Sequence, residues 1–165
     1  MKKVIFVRHG KAEELQPEIT DFERSLTLKG KAVSRKMAFK LLEKENDPGI
    51  IITSPAFRAY ETAAIFNHVF KLPAEKIRIN SNIYFKLDKN TFFEILKEIP
   101  EETEIITLFG HNPSFTELPE QFCTEGLEPL PKSGIICLSF KSKTWSGISL
   151  NSGFIEYFLK PKKVL

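Results

Sequence analysis

Lys3-Val4-Ile5-Phe6-Val7-Arg8-His9-Gly10 is the stretch on which the fold turns. Four apolar residues, three of them β-branched, run directly into Arg-His-Gly. An uninterrupted apolar run of this length reads as a strand buried on both faces, the kind found in parallel sheets covered by helices. Arg8 and His9 therefore stand at the carboxyl end of a buried strand, the edge of an open α/β sheet where ligands bind. Gly10 is expected to let the backbone turn tightly there. A guanidinium matches the geometry of phosphate oxygens, and an imidazole is a competent nucleophile near neutral pH. Three residues alone are also compatible with an ordinary surface strand end, so the rest of the chain decides.

The 165 residues fit one domain, 1–165, with a sizeable core. The apolar share is 42% with 15 Phe, which predicts a packed globule. The net charge is only +3, with basic and acidic residues interspersed, so there is no basic stripe of the kind that tracks nucleic acid. The tail Lys160-Pro161-Lys162-Lys163 reads as a solvated terminus. Cys123 and Cys137 have neither zinc-ligand spacing nor a disulfide framework, and two buried thiols in a reducing cytosol are expected. No apolar run is long enough for a membrane span or a signal-peptide core, and the expectation is a cytoplasmic protein.

Outward from the first strand, residues 11–27 are polar, contain Pro17, and read as a long functional loop over a site. Val33, Met37 and Leu41 recur at helical spacing, predicting a helix over 29–44 that ends at Asn46-Asp47-Pro48-Gly49. Ile50-Ile51-Ile52-Thr53 is a second buried strand. Ser54-Pro55 fits an N-cap followed by proline at the first helical position, opening a helix over 55–70. Ile77-Arg78-Ile79 reads as a short edge strand. Residues 90–98 read as a helix with Asn90 as cap. Glu104 to Phe109 is a third strong strand, followed by Gly110-His111-Asn112-Pro113 and a short helix expected to break near Pro119. Residues 135–140 and 154–159 are two late strands, the second alternating Phe154, Glu156, Phe158 against Ile155, Tyr157, Leu159. Alternating strand and helix signals predict an α/β fold: a three-layer α/β/α sandwich around a mostly parallel sheet of about six strands.

Three buried strands thus end in reactive punctuation: Arg8-His9-Gly10, Ser54-Pro55-Ala56-Phe57-Arg58 and Gly110-His111-Asn112-Pro113. Parallel strands bring their carboxyl ends to one edge, so two arginines and two histidines should converge. Arg58 falls in the first turn of a helix, whose free N–H groups also favour an anion. A cationic site with no carboxylate cluster calls for a phosphoryl group rather than a metal or another cofactor, so neither is expected. Surrounding cations should keep His9 mainly neutral.

These motifs, together with Asp21-Phe22-Glu23-Arg24-Ser25-Leu26-Thr27 and Gly30, resemble the histidine phosphatase superfamily, and within it the short SixA-like phosphohistidine phosphatase branch. The resemblance spans residues 3 to about 118. It implies a phosphoglycerate mutase-like fold and a cytoplasmic hydrolase of signal transduction. It also implies a nucleophilic, transiently phosphorylated His9, and phosphate-binding roles for Arg8, Arg58 and His111, with Arg24 near the same site. Many members of the superfamily carry an acidic residue that protonates the leaving oxygen. The matching stretch here, Asn80-Ser81-Asn82-Ile83-Tyr84, has none, and nearby Asp88 reads as a turn or helix-start residue.

The expected partner is accordingly a phosphorylated protein carrying phosphohistidine, with no nucleic acid and no membrane involved, and phosphate or sulfate should occupy the site. The alternatives are a small phosphate ester as substrate, or a non-catalytic phosphate-binding module. His68, Trp145 and the Phe92-Phe93 pair read as structural, and Asn112-Pro113 as support that orients His111. The acidic loop residues Glu13, Glu14, Glu18 and Glu23 read as solvated, with screening against highly anionic substrates as a further expectation.

Overall fold

A computed structural model describes residues 1–162; Lys163 of the basic tail lies outside the described residues. The elements run β1 (Lys2–Arg8), α1 (Leu28–Lys44), β2 (Ile50–Thr53), α2 (Phe57–Val69), β3 (Ile77–Ile79), α3 (Asn82–Phe85), α4 (Lys89–Lys97), β4 (Ile105–Gly110), α5 (Ser114–Phe122), β5 (Ile135–Phe140) and β6 (Gly153–Leu159). They form one six-stranded sheet in the order β3-β2-β4-β1-β5-β6. The first four strands in that order are mutually parallel, and β5 is antiparallel to both β1 and β6. The expected mostly parallel sheet is therefore present, with β3 on its edge.

Strand periodicity sorts the core into two layers. Val4, Phe6, Ile52, Ile106, Leu108, Ile136 and Leu138 pack with α3, α4 and α5. Ile5, Val7, Ile51, Phe109, Ile135 and Cys137 point the other way, onto Met37, Ala38 and Leu41 of α1 and Ala63, Phe66 and Val69 of α2. Successive strand residues face opposite sides, which is why β1 is apolar at every position from Val4 to Val7. The chain moves toward β3 with its helices on one face and returns with them on the other, as right-handed crossovers require. Trp145 is fully buried and its indole N–H donates to the Thr103 carbonyl at 3.1 Å, the packing anchor expected of it.

Several local expectations are corrected. α2 starts at Phe57, with Ala56 rather than Ser54 in the cap position. The Ser54 hydroxyl accepts from the Ala56 N–H, only two residues on, and is otherwise engaged by His111. Asp88, not Asn90, caps α4, accepting from the Thr91 N–H at 2.9 Å. α5 runs through Pro119 to Phe122, because Phe115, Leu118 and Phe122 anchor one face in the core and outweigh one lost backbone bond. The alternation of the last strand breaks at a bulge between Cys137 and Leu138, which places Ile155 and Phe158 on one face and Tyr157 and Leu159 on the other. The extra residue, Glu156, reaches Lys3 and Ser139 instead.

Candidate active site

Register alone brings the motifs together. Arg8 lies opposite Gly110 in the β1–β4 ladder and Thr53 opposite Phe109 in the β2–β4 ladder, so the three carboxyl ends stand nearly level. The ladders continue one step further: the His9 N–H donates to the Gly110 carbonyl at 3.0 Å, and the Ser54 N–H to the Phe109 carbonyl at 3.0 Å. His9 and His111 then face each other with ring centroids 5.2 Å apart.

His9 is 8% exposed, and its Nδ1 lies 2.7 Å from the Gly10 carbonyl. A carbonyl can only accept, so Nδ1 carries the proton and Nε2 keeps a free lone pair. Burial pushes the His9 pKa down to about 3, helped by the charges of His111, Arg58 and Arg8 against the opposing pull of the Gly10 bond. The neutral ring expected from neighbouring cations is present, but desolvation is the larger cause. His111 is likewise held at about 4, by burial first and then by Arg58 and Arg8, with Asp21 opposing. Its Nε2 is 2.8 Å from the Ser54 hydroxyl, and its Nδ1 is buried without a partner. With Ser54 donating to Nε2, Nδ1–H is left as a donor for an anion.

The arginines are held from their far ends. Arg8 donates to the Leu130 carbonyl at 3.0 Å, and its Nε is buried with no acceptor. Burial also lowers the Arg8 pKa, although a guanidinium stays charged. The same carbonyl accepts from Asn112 at 3.0 Å, so Asn112 braces Arg8 and not, as expected, His111. Thr116 completes this brace by donating to Asn112 and accepting the Leu130 N–H. Arg58, 7% exposed, donates to the Asp21 carbonyl at 2.7 Å and to its carboxylate at 2.9 Å. Thr62, one turn along α2, donates to the Arg58 carbonyl and accepts the Gly10 N–H at 3.1 Å, tying the helix to the segment that carries His9.

The loop over 11–27 is pinned rather than free. Its ends zip through the Ala12–Leu26 bridge and the Glu13 N–H to Ser25 carbonyl bond of 2.8 Å. Its middle carries a 3-10 turn, Asp21–Glu23, that plants Asp21 on Arg58. Arg24 does not reach the histidines: it pairs with Asp21 at 2.9 Å and donates to the Glu13 carbonyl, one ion pair removed from the site. Gly10 is not in a left-handed turn; a Cβ there would lie 2.5 Å from the Ser34 hydroxyl and 3.0 Å from the Gly30 carbonyl. Close approach, not a tight turn, requires the glycine. Asp88, half-buried and holding its cap, is lowered in pKa by the Thr91 hydrogen bonds. Neither it nor residues 80–84 place a carboxylic acid in the site.

Asp21, Ser54, Thr62, Tyr84, Ser133 and the Leu130 carbonyl were not legible as site components. The Tyr84 hydroxyl donates to Asp21 at 3.1 Å and its ring packs on His111, at 5.7 Å between centroids. The Ser133 N–H reaches the Arg8 and His9 carbonyls, and its hydroxyl meets that of Ser34 at 2.9 Å. Among the described residues no cluster of His, Cys, Asp and Glu is arranged to hold a metal ion, and no helix is long and apolar enough to cross a membrane.

Residues 4–124 match the sequence model of the histidine phosphatase superfamily (branch 1). The chain belongs to that superfamily. No curated protein sequence matches significantly. Among solved structures, a protein assigned as phosphohistidine phosphatase SixA from Agrobacterium tumefaciens superposes with TM-score 0.78 at 23% identity, over 97% of this chain and 98% of that one. A protein histidine phosphatase SixA complexed with tungstate gives TM-score 0.78 at 22% identity, over 96% and 97%. A mycobacterial glucosyl-3-phosphoglycerate phosphatase gives 0.69 at 13%, over 94% and 98%. At these identities the superpositions establish the fold, which this superfamily member shares over 94–97% of its length.

Proposed function

We propose that this histidine phosphatase hydrolyses a phosphoryl group by way of a phosphohistidine on His9, without a metal. The observation that carries the reading is the state of His9: Nδ1–H is committed to the Gly10 carbonyl, so the neutral ring offers Nε2 among Arg8, Arg58 and His111. In the first step Nε2 bonds to phosphorus as the bond to the leaving group breaks. Arg8, Arg58 and the Nδ1–H of His111 hold the equatorial oxygens, where charge develops. In the second, water bonds to phosphorus, the P–N bond breaks, a proton passes to solvent and phosphate departs. Two easier displacements replace one hard one.

The substrate we infer is phosphohistidine in a protein. Asp21 is held near 2: burial works to raise its pKa, but hydrogen bonds from Arg24 and Arg58, the Arg58 charge and the Tyr84 hydroxyl outweigh it, so it is a carboxylate at neutral pH and has no proton to give. A site without a proton donor suits a phosphoimidazole that takes its ring proton from solvent before transfer and so leaves as neutral imidazole, more readily than an alkoxide departs. Aromatic rings also run outward from His111 through Tyr84 to Phe22 and Phe57, and Phe85 beside them is 79% exposed, a surface suited to a protein carrying the phosphoryl group. The test is His9→Ala. It should reduce turnover of an aryl phosphate by at least about 10⁴-fold, with no acid-labile phosphoenzyme trapped and an unchanged circular dichroism spectrum. Near-normal turnover by this variant would refute the mechanism.

A further inference from the structure

We propose that Asp21 is a specificity-determining residue: its carboxylate, fixed at the edge of the phosphate site, rejects substrates whose leaving group carries a second anion. This inference rests on the phosphatase reading above and adds the class of substrate the site refuses. Asp21 comes from the long loop, yet four donors hold it. Arg58 gives one N–H to its carbonyl and one to Oδ2, Tyr84 gives its hydroxyl to Oδ2, and Arg24 pairs with Oδ1. The carboxylate therefore keeps its place beside the guanidinium that is to bind the phosphoryl group. Tyr84 packs on His111 and Phe22 on Tyr84, and the Tyr84 hydroxyl ties the Asp21 carboxylate to this run of rings that leads away from the histidines.

Two consequences follow from that position. Asp21 takes two of the five Arg58 donors, leaving the others for phosphoryl oxygens. It also puts one negative charge beside the aromatic run that we take as the substrate's line of approach. The side chain is 46% exposed, so its field is partly screened. Unit charges several ångströms apart in such a setting change a binding constant by about three- to thirtyfold. A neutral imidazole or phenyl leaving group is spared this repulsion; a carboxylated one is not.

The experiment compares phenyl phosphate with 3-carboxyphenyl phosphate, whose leaving groups differ by one carboxylate and little in acidity. Wild-type protein should prefer phenyl phosphate, and raising the salt concentration should narrow the preference. Asp21→Asn keeps an acceptor for Arg58 and removes the charge. It should shift the ratio of kcat/KM values toward the carboxylated substrate by about fivefold or more, chiefly through KM, with the shift shrinking at high salt. A ratio that Asp21→Asn leaves unchanged, even if both rates fall together, overturns the proposal and reduces Asp21 to a support for Arg58. The salt dependence of the wild-type ratio tests the same point without any variant, and a ratio indifferent to salt also overturns it. If the wild-type protein cleaves neither compound, the phosphatase reading itself fails, a result distinct from an unmoved ratio.

Discussion

Acidification should leave His9, the proposed nucleophile, in its reactive form. An ordinary imidazole with a pKa of about 6.5 would be only about 3% neutral at pH 5, and a rate that depends on it would fall roughly thirtyfold between pH 7.5 and 5. His9 is buried beside three other cationic or potentially cationic groups and is pushed down to about 3. At pH 5 it is then about 99% neutral. His111, at about 4, is about 90% neutral there. The enzyme's own contribution to kcat/KM should therefore change by less than about twofold over this range. The assay is kcat/KM for an aryl phosphate at constant ionic strength, divided by the substrate's ionisation measured separately by phosphorus NMR. Ring-proton shifts of His9 and His111 should stay level over the same interval. An acid limb of unit slope near pH 6.5, after that correction, would refute the assignment of a desolvated neutral nucleophile. Stability should move in the opposite sense. Both histidines have depressed pKa values in the folded state, so below about 6.5 the unfolded chain binds protons that the native protein refuses. Stability is then complete above pH 6.5 and falls as the pH drops, by up to about 1.4 kcal/mol per pH unit for each histidine, until about 4 for His111 and 3 for His9. Urea midpoints at pH 7 and pH 5 would show it.

Chelation should leave turnover unchanged, because Arg8 and Arg58 supply the positive charge and His111 a neutral N–H donor; activity lost to a chelator and restored by magnesium would count against that reading. A plot of log rate against leaving-group pKa should fall steeply, since Asp21 is ionised and Asp88 is occupied as a cap, and a proton donor would otherwise contribute about 10²–10⁴-fold. A flat plot, with alkyl phosphates cleaved as well as aryl ones, would show that some residue does act as the acid. Gly30→Ala should lower stability by about 1–3 kcal/mol despite the better helix propensity of alanine, because the added methyl runs into the backbone carbonyl of Lys11. The melting temperature reads it, and an unchanged or higher value would show that the loop yields at no cost.

Much of this protein was legible in its sequence. The runs Val4-Ile5-Phe6-Val7 and Ile50-Ile51-Ile52 have to be buried on both faces, and burial on both faces requires helices above and below a parallel sheet. Once the strands are parallel, Arg8, Arg58 and His111 meet at one edge without further information, since each ends its strand or follows it within a few residues. What lay beyond the sequence was everything set by contacts between segments far apart in the chain. Nothing in Leu130 announces that its carbonyl, 122 residues from Arg8, holds that guanidinium, because a backbone oxygen is the same at every position. Ser54 carries the signature of a helix cap, and only the proximity of His111 reassigns its hydroxyl. Asp21 and Arg24 look alike as loop charges, yet the 3-10 turn places one on Arg58 and the other a step further out. Hydrophobic periodicity is a local property and survives in one dimension. The pairing of a charge or a hydrogen bond is settled by distance in three, and so the tertiary structure alone decided which of the many polar side chains complete the site.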